Sequence, residues 1–598
     1  TDTNSSGQTY IYMAIADTRD AVFNFDASGN KNNWLPNNIN SNAESETTYD
    51  LMKDTPSLVD ENAGNFAVIN PLVGPSADTI SEANLKIATS LSYAAFSHTR
   101  ATIGVSSGKW YWEVEWDAKS ATSAESCIGI TTDVLNPYSQ CIGQGAANVS
   151  YGYRNDAYKF SGGSISSYGA TYTVGDVIGV ALDLDAGTLA FYKNGVAQGT
   201  AYSSISGTYF PGISDVDNNT SRNSTFIANF GQRPFKYTPP TGFLKLNTFN
   251  LPDSTIEKGS DHMTPLLYSG TSSTQSITGA DFQPDLTITK DRNHVTHVTA
   301  VDAVRGAPLD LFISALTADS NDHNGITAFT ANGFNLGSST NHNVTGHSYA
   351  TFNWKANGSG SSNTDGSITS TVSANPTAGF SIVGFTAPSG TGNFTAGHGL
   401  GVTPGMVFVK TRESTSAPWY TWHNTFSNLT DDYMRLNATS AKQTQSSGWG
   451  AGMTSSVIGL KAGSTTVATE NHIAYCFAEV EGYSSIGSYT GNGSTDGPFV
   501  YTGFRPAWIL VKVATGQTNA TSWNVFDTTR NTFNVIPTYL FLDSAGVESD
   551  SASTYFNTDI LSNGFKIRAG NTYGINQSGA TYIYMAFAEN PFKNANAR

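Results

Sequence analysis

The sequence predicts an all-β protein, a tandem array of antiparallel β-sandwiches, and three observations carry that prediction. Only 13% of residues are charged, 58 of 598 are Gly, and Ser, Thr and Asn crowd the chain, residues that favour turns over helix interiors. Aromatic residues reach 12% and recur in short alternating runs separated by Gly and Asn, the pattern of strands joined by tight turns. Finally, TYIYMAIADTRD at 9–20 returns almost unchanged as TYIYMAFAENPF at 581–592, so part of the chain is built of copies.

The copied phrase has cousins at 472–479 (HIAYCFAE) and, more weakly, at 349–356 (YATFNWKA). Upstream of each full copy lies a second landmark: PDLTITK ending at Lys290, PGMVFVK ending at Lys410 and PAWILVK ending at Lys512. Between them come LDLFIS, DYMRLN and TYLFLD, then ANGFNLG, SSVIGLK and SNGFKIR, always in the same order. Three divergent repeats of about 100 residues follow, the size of a compact β-sandwich rather than of a solenoid unit. They are placed at 249–357, 379–480 and 481–598, each expected to hold its own core.

Residues 1–17 then resemble the last strand of such a repeat without the strands before it. A lone strand with unpaired N–H and C=O groups needs neighbours. Either a further repeat is encoded upstream, or this strand is donated to a neighbouring chain. Residues 18–72, rich in Asn, Gly and Pro, read as a lead-in ending in an edge strand, NFAVINPL. Trp34 within it is either a sugar-stacking ring or a pin holding the linker on the next domain.

Residues 73–248 hold the densest strand signals. In VIGVALDLDAGTLAFYKNGV two alternating runs flank Asp185–Gly187, and Asn194–Gly195 is the preferred two-residue hairpin turn. The aromatic strand GKWYWEVEW, the GDVIGVALD strand, the TLAFYKNG hairpin and the closing YFPGIS resemble, in order and spacing, a SPRY domain. That resemblance implies a lectin-like sandwich of two curved antiparallel sheets whose end loops bind peptides or protein surfaces and which is not normally catalytic. The YIYMAFAENPF ending, the NNWLPNN lead-in and the SPRY-plus-repeat order resemble tail-fibre and related virion proteins of marine bacteriophages. This second resemblance implies location in the virion, other virion proteins as partners, and a host cell-surface glycan or protein as ligand.

Composition narrows the chemistry. The 31 Lys+Arg against 47 Asp+Glu give a net charge of −16, which opposes binding to nucleic acid or anionic lipid. No apolar run is long enough to span a membrane as a helix. The three cysteines, Cys127, Cys141 and Cys476, cannot complete a disulfide set and carry no zinc spacing; they read as small core residues, with a Cys127–Cys141 bridge as the alternative.

Among candidate sites, EVEWD puts Glu113, Glu115 and Asp117 on one strand face and resembles the E-x-D-x-E strand of lectin-fold glycosidases, retaining enzymes that need two carboxyl groups about 5–5.5 Å apart. The central Asp and final Glu are exchanged here, and the same residues serve as a solvated face in an ordinary SPRY strand. Tyr151, Arg154 and Tyr158, in and beside GYRNDAYKF, are the preferred ligand contacts, because Tyr and Arg bring large, stiff hydrogen-bonding surfaces. The competing assignment makes Tyr151, Tyr153 and Phe160 core residues. The histidines at 294, 297, 323, 342 and 347, with Asp291, Asp302, Asp319 and Asp322, raise a metal site, but their spacing and restriction to one repeat favour solvated loop histidines. DVDNN at 215–219 and DLDAG at 183–187 read as turns rather than calcium loops.

The expectation is therefore a non-catalytic appendage protein without cofactor or metal, binding through sandwich loops and multiplied by homo-oligomerisation. The alternatives are a purely structural virion subunit and a glycoside hydrolase using the Glu113 strand.

Overall fold

Alternating runs become strands throughout a computed structural model of the chain, which describes residues 64–74, 78–89, 97–121, 125–135, 139–216, 223–517, 521–550, 555–570 and 574–595. The expected terminal strand at 1–17 and Trp34 lie outside the described residues. Helix among the described residues is confined to the 3-10 turns Gly259–Asp261 and Phe592–Asn594, and no helix there is long and apolar enough to cross a membrane. The chain divides into two units at Leu251 and Pro252.

In the first unit one sheet runs in the order Thr79–Ser81, Lys86–Ala88, Ser224–Asn229, Lys109–Lys119, Val177–Asp183, Thr188–Lys193 and Val196–Tyr202, with Leu244–Lys245 added in parallel to Lys109–Lys119. The second orders Ser97–Arg100, Phe210–Asp215, Ser126–Thr131, Ser150–Arg154, Tyr158–Ser161 and Ser164–Ser167. The Asn194–Gly195 turn is present, with both residues at positive φ (49° and 76°), as a two-residue hairpin requires. Trp110, Trp112 and Trp116 are essentially unexposed, so the aromatic strand is the keel of the core.

One boundary moves. NFAVINPL belongs to the sandwich rather than the lead-in: Phe66 bridges to Asn247, Ile69 bridges to Ala101, and both side chains are buried. The exposed strand Ser164–Ser167 forms the edge of the second sheet. All three cysteines are buried free thiols, so the Cys127–Cys141 bridge is not formed; both side chains pack in one apolar cluster instead.

The second unit repeats one topology three times. In the first copy the large sheet orders Met263–Ser269, Ser348–Trp354, Leu286–Asp291, Thr299–Asp302, Leu309–Phe312 and Ser320–Asn321. The second copy runs Phe380–Thr386, Asn471–Phe477, Met406–Thr411, Tyr420–His423, Asp432–Arg435 and Gln443–Thr444. The third runs Ser484–Thr490, Thr581–Pro591, Phe504–Thr515, Asn524–Asp527, Thr538–Phe541 and Ser549–Asp550. Each copy adds a small second sheet, for example Asn393–Gly397 with Val457–Lys461. The hairpin Ser361–Asn363 and Ser370–Asn375, which falls between the expected repeats, extends the large sheet of the second copy along Phe380–Thr386.

The first and second copies each hold an apolar cluster of their own, but all three also share one large core, so the copies are not self-contained sandwiches. In Asn471–Phe477 alternate residues Ile473, Tyr475 and Phe477 join one apolar cluster shared by all three repeats, while Ala474 and Cys476 join a cluster of the second repeat alone. Period-two alternation thus feeds two cores at once. At the centre Trp354, Phe477 and Phe587, one from the same position of each repeat, sit with ring centroids 5.9–6.0 Å apart pairwise.

The landmark lysines close this ring. All three are buried, and each donates to a carbonyl of its own repeat and to one of a neighbour: Lys290 to Thr296 and Ser544, Lys410 to Ala417 and Leu316, Lys512 to Thr521 and Ala438. Two residues further on, the carbonyls of Arg292, Arg412 and Ala514 accept the main-chain N–H groups of Glu548, Asp319 and Lys442 at 2.7, 2.6 and 3.0 Å. The sequence landmark is therefore the clasp between repeats.

Candidate functional site

The strand that invited a catalytic reading is committed to structure. Glu113 is 3% exposed rather than solvated. Its carboxylate accepts Tyr111 Oη at 3.1 Å and the main-chain N–H groups of Lys236 and Tyr237 at 2.8 and 2.9 Å. The reason is the segment after residue 229, which folds back over this face and sets Phe235 against Tyr111 with centroids 5.0 Å apart. Glu115 pairs with Lys236 at 3.6 Å and Asp117 with Lys86 at 3.1 Å. No two of these carboxyl groups are left facing a common open cleft as an acid and nucleophile would be.

The three preferred contact residues do not form one patch. Tyr151 is 6% exposed, donates to Asn148 Oδ1 at 2.8 Å and packs on Tyr202 and Tyr209, so it is a core residue. Arg154 is held at the turn after its strand by Asp156 (2.8 Å) and Glu125 (3.0 Å) and lies over Phe160. Tyr158, in the strand Tyr158–Ser161, keeps a half-buried ring. Tyr153 is fully buried, as the packing assignment had it. In DLDAG, Asp183 accepts the N–H of Ala186 and pairs with Lys109, and Asp185 accepts the N–H of Gly108, which are turn roles.

A more open arrangement appears where sequence reasoning did not look, at one locus repeated in every copy of the second unit. The last long strand of each repeat carries a ring stacked on a residue of the adjacent strand: Tyr349 on Tyr268, His472 on Phe385, Tyr582 on Tyr489, with centroids 4.9, 5.3 and 5.0 Å apart. Each ring accepts the main-chain N–H five residues upstream: Val344 on Tyr349 Oη, Val467 on His472 Nε2 and Gln577 on Tyr582 Oη, at 2.9–3.0 Å. Their register partners on the landmark strand are Asp291, Thr411 and Val513.

On this shared frame the chemistry diverges. In the second repeat the loops leave a hollow of about 240 Å³ lined by Thr411, Pro418, Tyr420, Ser464, Thr466 and His472, among others. His472 presents a face rather than a lone pair, because Nδ1 donates to the Glu470 carbonyl while Nε2 is occupied, and burial lowers its pKa to about 4. Thr411 Oγ1 donates to Glu470 Oε2 at 2.5 Å. Ser464 Oγ is shut from solvent with no hydrogen-bond partner. The signal that could have found this site is the column after the shared landmark lysine, occupied by Asp291, Thr411 and Val513 in the three copies.

The first-repeat histidines are not all solvated. His342 is fully buried with Nε2 2.9 Å from both oxygens of Asp310, and His347 Nδ1 lies 2.5 Å from Asp291 Oδ2. His294 and His347 stack, because the chain around each is loop rather than strand and the alternation rule does not apply.

A family model for a domain of unknown function, DUF7483, matches residues 258–591, more than half of the chain. The chain belongs to the DUF7483 family. In this DUF7483 protein the sheets of the three repeats fall within that match, and a SPRY domain model matches residues 109–232. Among curated proteins the chain is similar to the E3 ubiquitin-protein ligase RKP of Arabidopsis thaliana, 34% identical over 160 residues, covering 26% of this chain and 12% of that protein. It is also similar to the ATP-dependent RNA helicase DDX1 of Xenopus laevis, 28% identical over 159 residues, covering 27% and 20%. The match to Ddx1 of Drosophila melanogaster is 29% over 151 residues, covering 24% and 19%. The DUF7483 chain thus spans only 12–20% of the length of these relatives. Solved structures similar to it include the SPRY domain of human HERC1 (TM-score 0.24, 17% identity, 27% of this chain, 96% of that one) and the TRIM65 PSpry domain (0.22, 14%, 27%, 89%).

Proposed function

We propose that this DUF7483 protein is a non-catalytic recognition protein that binds a glycan unit in the hydroxyl-lined hollow of its second repeat, with the SPRY sandwich as a second contact module. The observation that carries the reading is the hollow itself. Its volume of about 240 Å³ lies below the roughly 300–1,000 Å³ of sites for drug-sized ligands, so a single sugar ring fits. The half-buried ring of Tyr420 suits the C–H face of a sugar, and the Thr411 and Thr466 hydroxyls, which donate to Glu470 and to the Lys461 carbonyl, keep lone pairs that suit its O–H groups. The commitment of Glu113, Glu115 and Asp117 to ion pairs and main-chain donors argues against the glycosidase alternative.

The resemblance of the SPRY-plus-repeat order to marine phage tail-fibre and virion proteins supports a setting on a virion, with the glycan on a host cell surface. Shallow sites of this kind gain avidity when copies are linked in an oligomer. The test is retention of the tag-free chain on a printed array of bacterial surface polysaccharides. The reading expects a defined subset of glycans to bind, at least tenfold weaker binding by Tyr420→Ala, and no release of reducing ends. A chain that binds no glycan but associates with itself or with virion proteins would instead support the structural-subunit alternative.

A further inference from the structure

The locus that forms a hollow in the second repeat holds three metal-ligating side chains in the first. Asp291, His294 and His347 each place a ligand atom within 4.8 Å of the others. Asp291 is 1% exposed, and its Oδ1 is aimed by the N–H groups of Asn293 (3.1 Å) and His294 (3.0 Å). Its Oδ2 faces His347 Nδ1, and His294 Nδ1 lies 3.9 Å from Oδ1. The two imidazoles stack at 3.5 Å with an interplanar angle of 8°.

Comparison within the molecule separates ligand chemistry from folding need. At the positions of Asp291 and His347 the second repeat has Thr411 and Glu470, and the third has Val513 and Ala580, both buried. The same frame therefore closes with an apolar pair. Nothing in the fold requires a carboxylate and two imidazoles there, and His294 in particular is exposed in a loop.

We infer that Asp291, His294 and His347 form a site for a divalent transition metal of the zinc class. Two imidazole nitrogens and one carboxylate are the donor set that borderline ions take, whereas calcium and magnesium prefer all-oxygen sites. Zinc bonds of about 2.0–2.1 Å at tetrahedral angles set donors about 3.3 Å apart. The observed separations run to the two different carboxylate oxygens, 2.5 Å to Oδ2 and 3.9 Å to Oδ1, and the rings lie face to face, so metal binding turns the exposed His294 ring out of the stack to bring its in-plane lone pair onto the ion beside Asp291 and His347. Three protein donors leave a fourth position for water or for an oxygen of a bound partner.

The second His and carboxylate group, Asp310, Asp322 and His342, serves as an internal control, since His342 and Asp310 are wholly buried and already paired. The experiment is calorimetric titration of the tag-free, chelator-stripped full chain with Zn²⁺, and with Ca²⁺ in parallel. The inference expects one Zn²⁺ per chain, no comparable Ca²⁺ binding, and at least tenfold weaker Zn²⁺ binding in His294→Ala with an unchanged thermal melt. Asp322→Asn is expected to leave Zn²⁺ binding intact. Absence of Zn²⁺ binding, indifference to His294→Ala, or loss of binding in Asp322→Asn would each overturn it.

Discussion

The SPRY unit and the three-repeat unit cover their apolar strand faces in opposite ways. In the SPRY unit two sheets drawn from one stretch of chain face each other, and the rear of the Glu113 strand is closed by the segment that carries Phe235 and Lys236. Each large sheet of the repeat unit instead turns one face to its own small sheet and the other to the sister repeats, around Trp354, Phe477 and Phe587. A SPRY-like sandwich is complete in itself. A DUF7483 repeat closes one sheet face with its own small sheet, and only its sister copies close the other.

The sharpest way to break that contrast is to delete 484–598. Independent sandwiches would leave the first two repeats melting as before. A shared core predicts that they lose cooperative unfolding altogether, since Lys290 loses the Ser544 carbonyl and the central triad loses Phe587. Tryptophan fluorescence during denaturant titration, with hydrogen exchange on the first two repeats, decides between them. Next in size is Phe587→Ala, which opens a cavity at the axis and is expected to cost about 3–5 kcal/mol. The loss should appear in a transition spanning all three repeats, while the melt of an isolated SPRY fragment sets the reference for the other unit.

How much of this was legible in the sequence follows the same division. The SPRY sandwich could be read because its signals are local: the Asn194–Gly195 turn and the strands around it depend on neighbours in the chain. The three repeats could also be counted, and Lys290, Lys410 and Lys512 marked them. What a linear pattern cannot carry is where the far side of a strand goes. Alternation in HIAYCFAE fits a strand with one solvated face as well as one whose two faces enter different cores. The same blindness affected Glu113 and Tyr151, whose cover comes from residues over 50 positions away. The hollow lined by Thr411, Tyr420 and His472 was missed because its residues look ordinary singly; only alignment of the copies exposes the column.

The clasp lysines make the contrast pH-dependent. Burial lowers Lys290, Lys410 and Lys512 to about 8, against an unfolded value of 10.5. Below pH 8 each is charged in both states and the desolvation cost is constant. Between pH 8 and 10.5 the folded state binds fewer protons than the unfolded one, so stability rises with pH. From pH 8 to 9.5 the gain is up to about 2 kcal/mol per lysine at 1.36 kcal/mol per unit, less whatever the two carbonyl acceptors restore to the ammonium. Lys512→Met should remove about a third of that slope in urea titrations of the repeat unit, and the SPRY unit, lacking the clasp, should not share it.

Within the SPRY unit the buried carboxylate and the surface arginine form the finer comparison. Glu113→Gln places an amide where two main-chain N–H groups need an acceptor, and is expected to cost about 1–3 kcal/mol. Arg154→Ala removes part-exposed pairs with Glu125 and Asp156 and should cost no more than about 1 kcal/mol. Tyr158→Ala, the smallest, should leave stability within about 0.5 kcal/mol. These three measured together separate scaffold from surface on one sandwich. If Tyr158→Ala lowers glycan or protein binding while the melt stays put, its half-buried ring is a contact, and the SPRY unit recognises a partner through a side chain that neither its core nor an ion pair has claimed.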